Sequence, residues 1–155
     1  MKKLIILGAG TGGTIMANKL AGPLRRRGWK ITVVDRDDNH YYQPGFLFVP
    51  FGLYQPEDLL RRRSALLPRG VEFMTGEVEE IKPEKKTIKL ADGEELGYDL
   101  LLIATGNHIC PEETAGLLDG WRQNIFDYYS LDGATALARK LEEFKEGTLV
   151  VHINE

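Results

Sequence analysis

Apolar residues cluster at residues 3–7 (KLIIL), 30–35 (KITVVD, broken only by Thr32), 100–104 (LLLIA) and 148–151 (TLVV). Runs of this kind, without alternation, are expected of strands covered on both faces, as in a parallel sheet. Between the first two lies TIMANKLAGPLRRRG, residues 14–28, in which Ile15, Leu20 and Leu24 recur at helical spacing. Gly22-Pro23 is expected to kink or stop that helix. Strand, glycine turn, helix and strand make a βαβ unit, because parallel strands need such a crossover.

Further along, QPEDLLRRRSALLP (55–68) predicts a short helix with Pro56 in its first turn. GVEFMTGEVEEI (70–81) reads as one strand running into another, and Ala91-Asp92-Gly93 between alternating residues signals a hairpin. SLDGATALARKLEEFKEG (130–147) predicts a helix capped by Ser130 and closed by Gly147. Leu131, Ala134, Leu137, Ala138, Leu141 and Phe144 mark its buried face. TLVVHINE (148–155) is expected to be another strand.

One segment fits neither period. His40 to Gly52, HYYQPGFLFVPFG, holds five aromatic rings in thirteen residues, interrupted by two prolines and two glycines. A regular helix cannot run through it, and a plain surface loop would not be so apolar.

Length and composition narrow the picture. With 155 residues, 43% hydrophobic and 28% charged, the chain is long enough for one domain with a sizeable core. Its net charge of −3 gives no reason to expect nucleic acid as a partner. The triplets Arg25–Arg27 and Arg61–Arg63 read as solvated helix ends. A single cysteine, Cys110, excludes an internal disulfide, and His40, His108 and His152 are too scattered for a metal cluster. No secretory signal and no run long enough to span a bilayer are visible, so a cytoplasmic, soluble chain is expected.

Candidate chemistry sits in the first turn. Gly8, Gly10 and Gly13 form G-x-G-x-x-G, with Thr11 and Gly12 between the last two. Gly8 permits the tight turn out of the strand, Gly10 lets a pyrophosphate lie on the backbone, and Gly13 brings helix and strand together. The helix N-terminus offers unpaired N–H groups to phosphates. The second strand ends in Asp35, followed by Arg36; a carboxylate there accepts ribose hydroxyls and repels a 2′-phosphate. After Asp35 come the aromatic segment and an antiparallel excursion rather than further βαβ units, and Ala104-Thr105-Gly106 makes a second small-residue turn after a strand. That layout favours FAD over NAD.

Taken together, KLIILGAGTGG, VVDRDD, YYQPGFLFVPFG and YDLLLIATG resemble the flavoproteins with two dinucleotide-binding domains, most closely the sulfide:quinone oxidoreductases and flavocytochrome c sulfide dehydrogenases. The resemblance covers the whole chain but only about the first third of a typical member. It implies an α/β, Rossmann-like FAD-binding domain over residues 1–147, with the sheet stopping short of its last strand. Residues 148–155 would open a second nucleotide domain. It further implies that Gly8 to Gly13 hold the pyrophosphate and Asp35 the adenosine ribose. Val78 would meet the adenine, and Ala104 to Gly106 would close over the nucleotide. Tyr42, Gln43, Pro44 and Gly45 would sit near the isoalloxazine, with the aromatic remainder walling off the flavin or simply packing a core or interface.

The same resemblance implies sulfide oxidation with electrons passed through FAD to a quinone, and a membrane-peripheral full-length protein. A type II NADH:quinone dehydrogenase-like enzyme, or a non-catalytic nucleotide-binding piece, is the alternative. Two departures matter. Sulfide-oxidising members usually carry a redox cysteine just before the helix that here begins after Ser130, where this chain has Tyr128-Tyr129. Cys110 is instead followed by Pro111, Glu112 and Glu113, and these acids should raise its pKa. It is either an inert thiol or a catalytic one that meets a partner cysteine, or the flavin, in a longer parent protein. The chain alone is expected to lack full activity and to self-associate.

Overall fold

The computed structural model describes residues 1–152. In chain order the elements are β1 (Lys2–Leu7), α1 (Thr11–Arg26), β2 (Trp29–Asp35), β3 (Asn39–Tyr41), β4 (Leu60–Arg62), α2 (Arg63–Leu66), β5 (Val71–Thr75), β6 (Val78–Lys82), β7 (Thr87–Leu90), β8 (Glu95–Gly97), β9 (Leu100–Ile103) and α3 (Leu131–Glu143). They fall into two compact units. Met1–His40 and Arg61–His108 form the first; Tyr41–Leu60 and the residues from Ile109 onward form the second.

The first unit is built on a parallel sheet of order β5-β2-β1-β9. Leu4 to Leu7 pair with Ile31 to Val34 on one side and with Leu100 to Ile103 on the other. The pleat sends alternate residues to opposite faces. Leu4, Ile6, Ile31 and Val33 meet Ala17 and Ala21 of α1, whereas Ile5, Leu7 and Val34 meet Ile88 and Leu90 of the antiparallel β6-β7-β8 sheet. Both faces are therefore covered, which is why the strands read as continuous apolar runs. Ile6 and Val33 are fully buried, and each contributes about 2 kcal/mol by leaving water.

Several expectations change on the structure. On α1 the buried stripe is Gly13, Ala17 and Ala21, small residues that let the helix lie close to the sheet, while Ile15 is half exposed. Pro23 neither stops nor ends α1, which continues to Arg26. Pro23 and Lys19 both face solvent, so the carbonyl deprived of a partner can turn to water. Residues 55–68 do not make one helix. A 3-10 turn at Pro56–Leu59, with Pro56 in its first turn as expected, gives way to β4 and then to the single turn of α2. The break has a cause: β4 pairs with β3, and Asp38 accepts hydrogen bonds from Ser64 N at 2.8 Å and Ser64 Oγ at 2.9 Å. β9 is an edge strand rather than a buried one, leaving Leu100 and Ile103 exposed. The 91–93 hairpin forms as expected, with Gly93 at φ +92°.

In the second unit the aromatic segment winds into two 3-10 turns, Gln43–Leu47 and Val49–Phe51. Phe46 and Val49 enter its core, against Leu59 and Ala134, with Leu131 packed beside them, and Gly45 and Pro50 are buried as well. Leu47, Phe48 and Phe51 stay exposed, and the Phe48 ring packs edge-on to Tyr54 at 5.8 Å. α3 starts as expected, with Ser130 Oγ accepting from Gly133 N at 3.1 Å. It ends at Glu143, so Gly147 lies beyond it, and Phe144 is exposed. Residues 148–152 form no strand, and Leu149, Val150 and Val151 are exposed. The remainder of the expected strand lies outside the described residues.

Candidate functional site

The carboxyl ends of the parallel strands bring the sequence motifs of the first unit together. From β1 the chain builds outward through β2 to β5 on one side, then returns to place β9 on the other side of β1. Open α/β sheets bind ligands at such a reversal, in the crevice beyond the strand ends. Leu7 pairs with Val34 and Ile103, so Gly8, Asp35 and Ala104 follow at the same level.

The three glycines have different surroundings. Gly8 sits at φ +93°, and a Cβ there would collide with the Ala104 carbonyl. A Cβ on Gly13 would collide with the carbonyl oxygen of Gly8, so the helix can start this close to the strand only with glycine. A Cβ on Gly10 would meet nothing within 4 Å. Sterics demand Gly8 and Gly13; at Gly10 the space itself is the feature. Gly10 is the N-cap of α1 without a side-chain cap, and no acidic residue lies in the first turn. Thr11 and Gly12, both exposed, therefore begin a helix whose first amides are available to an anion.

Asp35 closes this turn from the neighbouring strand. Its Oδ2 accepts from the Ala9 amide at 2.6 Å and its Oδ1 from the Arg36 amide at 2.8 Å. Oδ1 also pairs with Arg63 Nη1, and the two side chains are only 13% and 15% exposed. Arg63 donates as well to the Asp37 carbonyl at 3.1 Å. The reading of Arg61–Arg63 as a solvated helix end thus fails for Arg63, which opens α2 and is drawn inward by Asp35. It is the residue of this site that sequence reasoning missed; the signal was an arginine beyond an excursion that returns to the acidic stretch 35–38. Arg36, by contrast, points its side chain to solvent. Asp38 is clasped by Arg62 Nε at 2.8 Å. The Ser64 amide foremost, then Arg62, holds its carboxyl below the usual range.

The remaining predicted residues of this unit lie at the same strand ends. Gly76 N donates to Asp35 O at 2.8 Å just before β6 begins at Val78, which packs half-buried under Leu90 and its neighbours. Ala104 N donates to Leu7 O at 2.8 Å, and Thr105 and Gly106 continue exposed, Gly106 at φ +76°.

Tyr42, Gln43, Pro44, Gly45 and Cys110 belong to the second unit. Gly45 is buried where a Cβ would strike Leu59. Gln43 Nε2 donates to Tyr129 O at 3.2 Å, and Gln43, Pro44, Tyr128 and Tyr129 line a cavity of about 360 Å3. The tyrosines are held in place from below: Asp127 Oδ1 accepts from the amides of Tyr129 at 3.0 Å and Ser130 at 2.8 Å, and Asp127 Oδ2 pairs with Arg122 at 2.6 Å. Cys110 is half-buried, and burial, then Glu112 and Glu113, push its thiol pKa up. This is the direction expected from its neighbours, and it leaves little thiolate at neutral pH.

Residues 2–151 match the family model described as pyridine nucleotide-disulphide oxidoreductase. A mitochondrial sulfide:quinone oxidoreductase of Mus musculus is 30% identical over 147 residues, covering 94% of this chain and 32% of that protein. A type II NADH:quinone oxidoreductase of Staphylococcus aureus is 27% identical over 143 residues, covering 92% of this chain and 34% of that one. The chain thus spans about a third of the length of the curated relatives it matches. Among solved structures, the sulfide:quinone oxidoreductase of Aquifex aeolicus superposes with a TM-score of 0.75 over 92% of this chain and 32% of its own, at 23% identity. That likeness establishes the fold.

Proposed function

This chain belongs to the pyridine nucleotide-disulphide oxidoreductase family, and from that premise we propose that it is the FAD-binding part of a quinone-linked flavin oxidoreductase of the sulfide:quinone type. Its cofactor is FAD, and the residues present fit it. The observation that carries the reading is the open space at Gly10 beside an acid tied to the same turn. Bare backbone there has room for a pyrophosphate, and Asp35 is fastened to the Ala9 amide within the turn.

In this reading Gly8 to Gly13 hold the pyrophosphate through α1's first amides, Asp35 takes the adenosine ribose hydroxyls, and Ala104 to Gly106 border the nucleotide. The backbone at Val78 meets the adenine. When bound, FAD supplies reversible two-electron acceptance. The chain's own contribution is to bind and orient the cofactor and to keep apolar side chains around it. Sulfide and quinone are the substrates proposed for the whole protein, by analogy with the relatives named above.

A second reading has its own observation. Tyr128 and Tyr129 stand where sulfide-oxidising relatives were expected to carry a cysteine, and Cys110 has a raised pKa. Both favour NADH as electron donor, as the name of the Staphylococcus relative states for that protein. Titration of FAD followed by flavin fluorescence tests the cofactor site. Anaerobic addition of sulfide or NADH to the FAD-loaded whole protein decides the donor: bleaching by sulfide supports the first reading, and bleaching by NADH alone replaces it with the second.

A further inference from the structure

Sites of this fold distinguish a plain ribose from a 2′-phosphorylated one by what stands at the end of the second strand. A carboxylate takes the hydroxyl donors, whereas an arginine takes the phosphate. Here both groups are present and in contact. Arg63 Nη1 pairs with Asp35, both side chains are largely hidden from water, and Arg63 Nε is buried with no hydrogen-bond partner. The guanidinium is not a swinging surface group. Its backbone amide donates to Asp38 O at 3.0 Å, and Asp38 in turn holds Ser64 by both N and Oγ.

The electrostatic consequence differs from that of a lone acid. A bare Asp35 would exclude a 2′-phosphate by charge alone. With Arg63 against it the pair is close to neutral, and exclusion depends on the carboxylate occupying the guanidinium. Asp37 does not change this balance much: its Oδ1 lies 3.7 Å from Nη1 and the side chain is 42% exposed.

We propose that Arg63 is a specificity-determining residue of the nucleotide site: a 2′-phosphate receptor kept out of use by Asp35, so that the acid selects plain adenosine ribose by masking the cation as well as by accepting hydroxyls. The proposal rests on the nucleotide reading given above. It adds that the ribose preference resides in the pair rather than in the acid alone.

The test is calorimetry with ADP-ribose and 2′-phospho-ADP-ribose on wild type, Asp35→Asn and Asp35→Asn/Arg63→Gln. Wild type is expected to prefer ADP-ribose. Asp35→Asn should shift the ratio of the two affinities toward the phosphorylated ligand by on the order of tenfold, the scale of one charge-assisted hydrogen bond. The double variant should lose that shift. The ratio is read within one variant, so a smaller folded fraction does not move it. If Asp35→Asn fails to fold, Arg63→Gln alone should sharpen discrimination against the 2′-phosphate several-fold, because the acid is then uncompensated. An unchanged ratio in Asp35→Asn, a shift that survives in the double variant, or an unchanged ratio in Arg63→Gln overturns the proposal while leaving the nucleotide site standing. Wild type that binds neither ligand nor FAD removes the site and the proposal together.

Discussion

Asp35 Oδ2 accepts a hydrogen bond from the Ala9 amide at 2.6 Å across 26 residues of sequence, so the acid at the end of one strand fixes the turn that leaves its neighbour. The same carboxylate satisfies Arg63. Truncation at this position therefore removes the partner of a backbone donor and of a largely buried cation at once. Asp35→Ala should cost about 3 kcal/mol of stability and abolish measurable FAD binding. Urea denaturation and a flavin titration check the two effects, and a variant as stable as wild type would show that the pair holds little.

Gly10 and Gly13 lie three residues apart and should respond oppositely to the same methyl group. Gly13→Ala places Cβ against the Gly8 carbonyl and should destabilise the protein by about 3 kcal/mol. Gly10→Ala points Cβ into open space at φ −70°, so stability should stay within about 1 kcal/mol of wild type. Its FAD affinity should nevertheless fall by about tenfold or more, because the methyl occupies the room proposed for the pyrophosphate. Thermal melts paired with titrations separate the two; equal affinity in Gly10→Ala would count against the phosphate assignment.

Cys110 should alkylate slowly at pH 7. Burial first, and Glu112 and Glu113 after it, favour the neutral thiol, so reaction with iodoacetamide should accelerate only as pH climbs past the ordinary thiol range. Glu112→Gln/Glu113→Gln should speed the reaction at fixed pH. A thiol that reacts faster than free cysteine at neutral pH would instead point to a redox role.

Acid stability has a defined sign. The Lys30 ammonium, with Thr32 behind it, holds Glu72 below its ordinary value of 4.5, and Asp38 is held below 3.8. A depressed carboxyl contributes stability that is present above its unfolded pKa and lost as pH falls through the folded one. Wild type should therefore lose stability below about pH 4.5. Glu72→Gln should differ from wild type by under about 1 kcal/mol at pH 7, given its exposure, and by less at pH 3. Urea denaturation at both values checks this; a gap that widens on acidification reverses the assignment.

Leu149, Val150 and Val151 are consecutive, apolar and exposed, and Leu100 and Ile103 are exposed on the edge strand β9. Such surface recruits other chains. We expect concentration-dependent association in light scattering that weakens in Val150→Lys. A wild-type species that stays monomeric on concentration would refute it.

The sheet was legible because burial on two faces leaves a direct trace, apolar runs at β1 and β2 with little alternation, and because Gly8 and Gly13 are dictated by local geometry. What escaped was tertiary. Arg63 looked like one more surface arginine, since nothing in a run of three tells which member will meet an acid 28 residues earlier. The 55–68 segment carries a helical composition, yet the pairing of β4 with β3 and the grip of Asp38 on Ser64 override it. Ile15 sits at helical spacing, but the helix turns its alanines inward because only small side chains permit the close approach that Gly13 begins. The aromatic segment kept its ambiguity for a similar reason: hydrophobicity marks Phe46 and Phe51 alike, and only packing separates the one that is buried from the one that is not.

The clasp of Asp38 by Arg62 and Ser64 joins the two points where residues 41–60 depart from the nucleotide-binding sheet and come back to it. Closing a loop of that length costs chain entropy, and a clasp at its two feet supplies contacts that offset the cost.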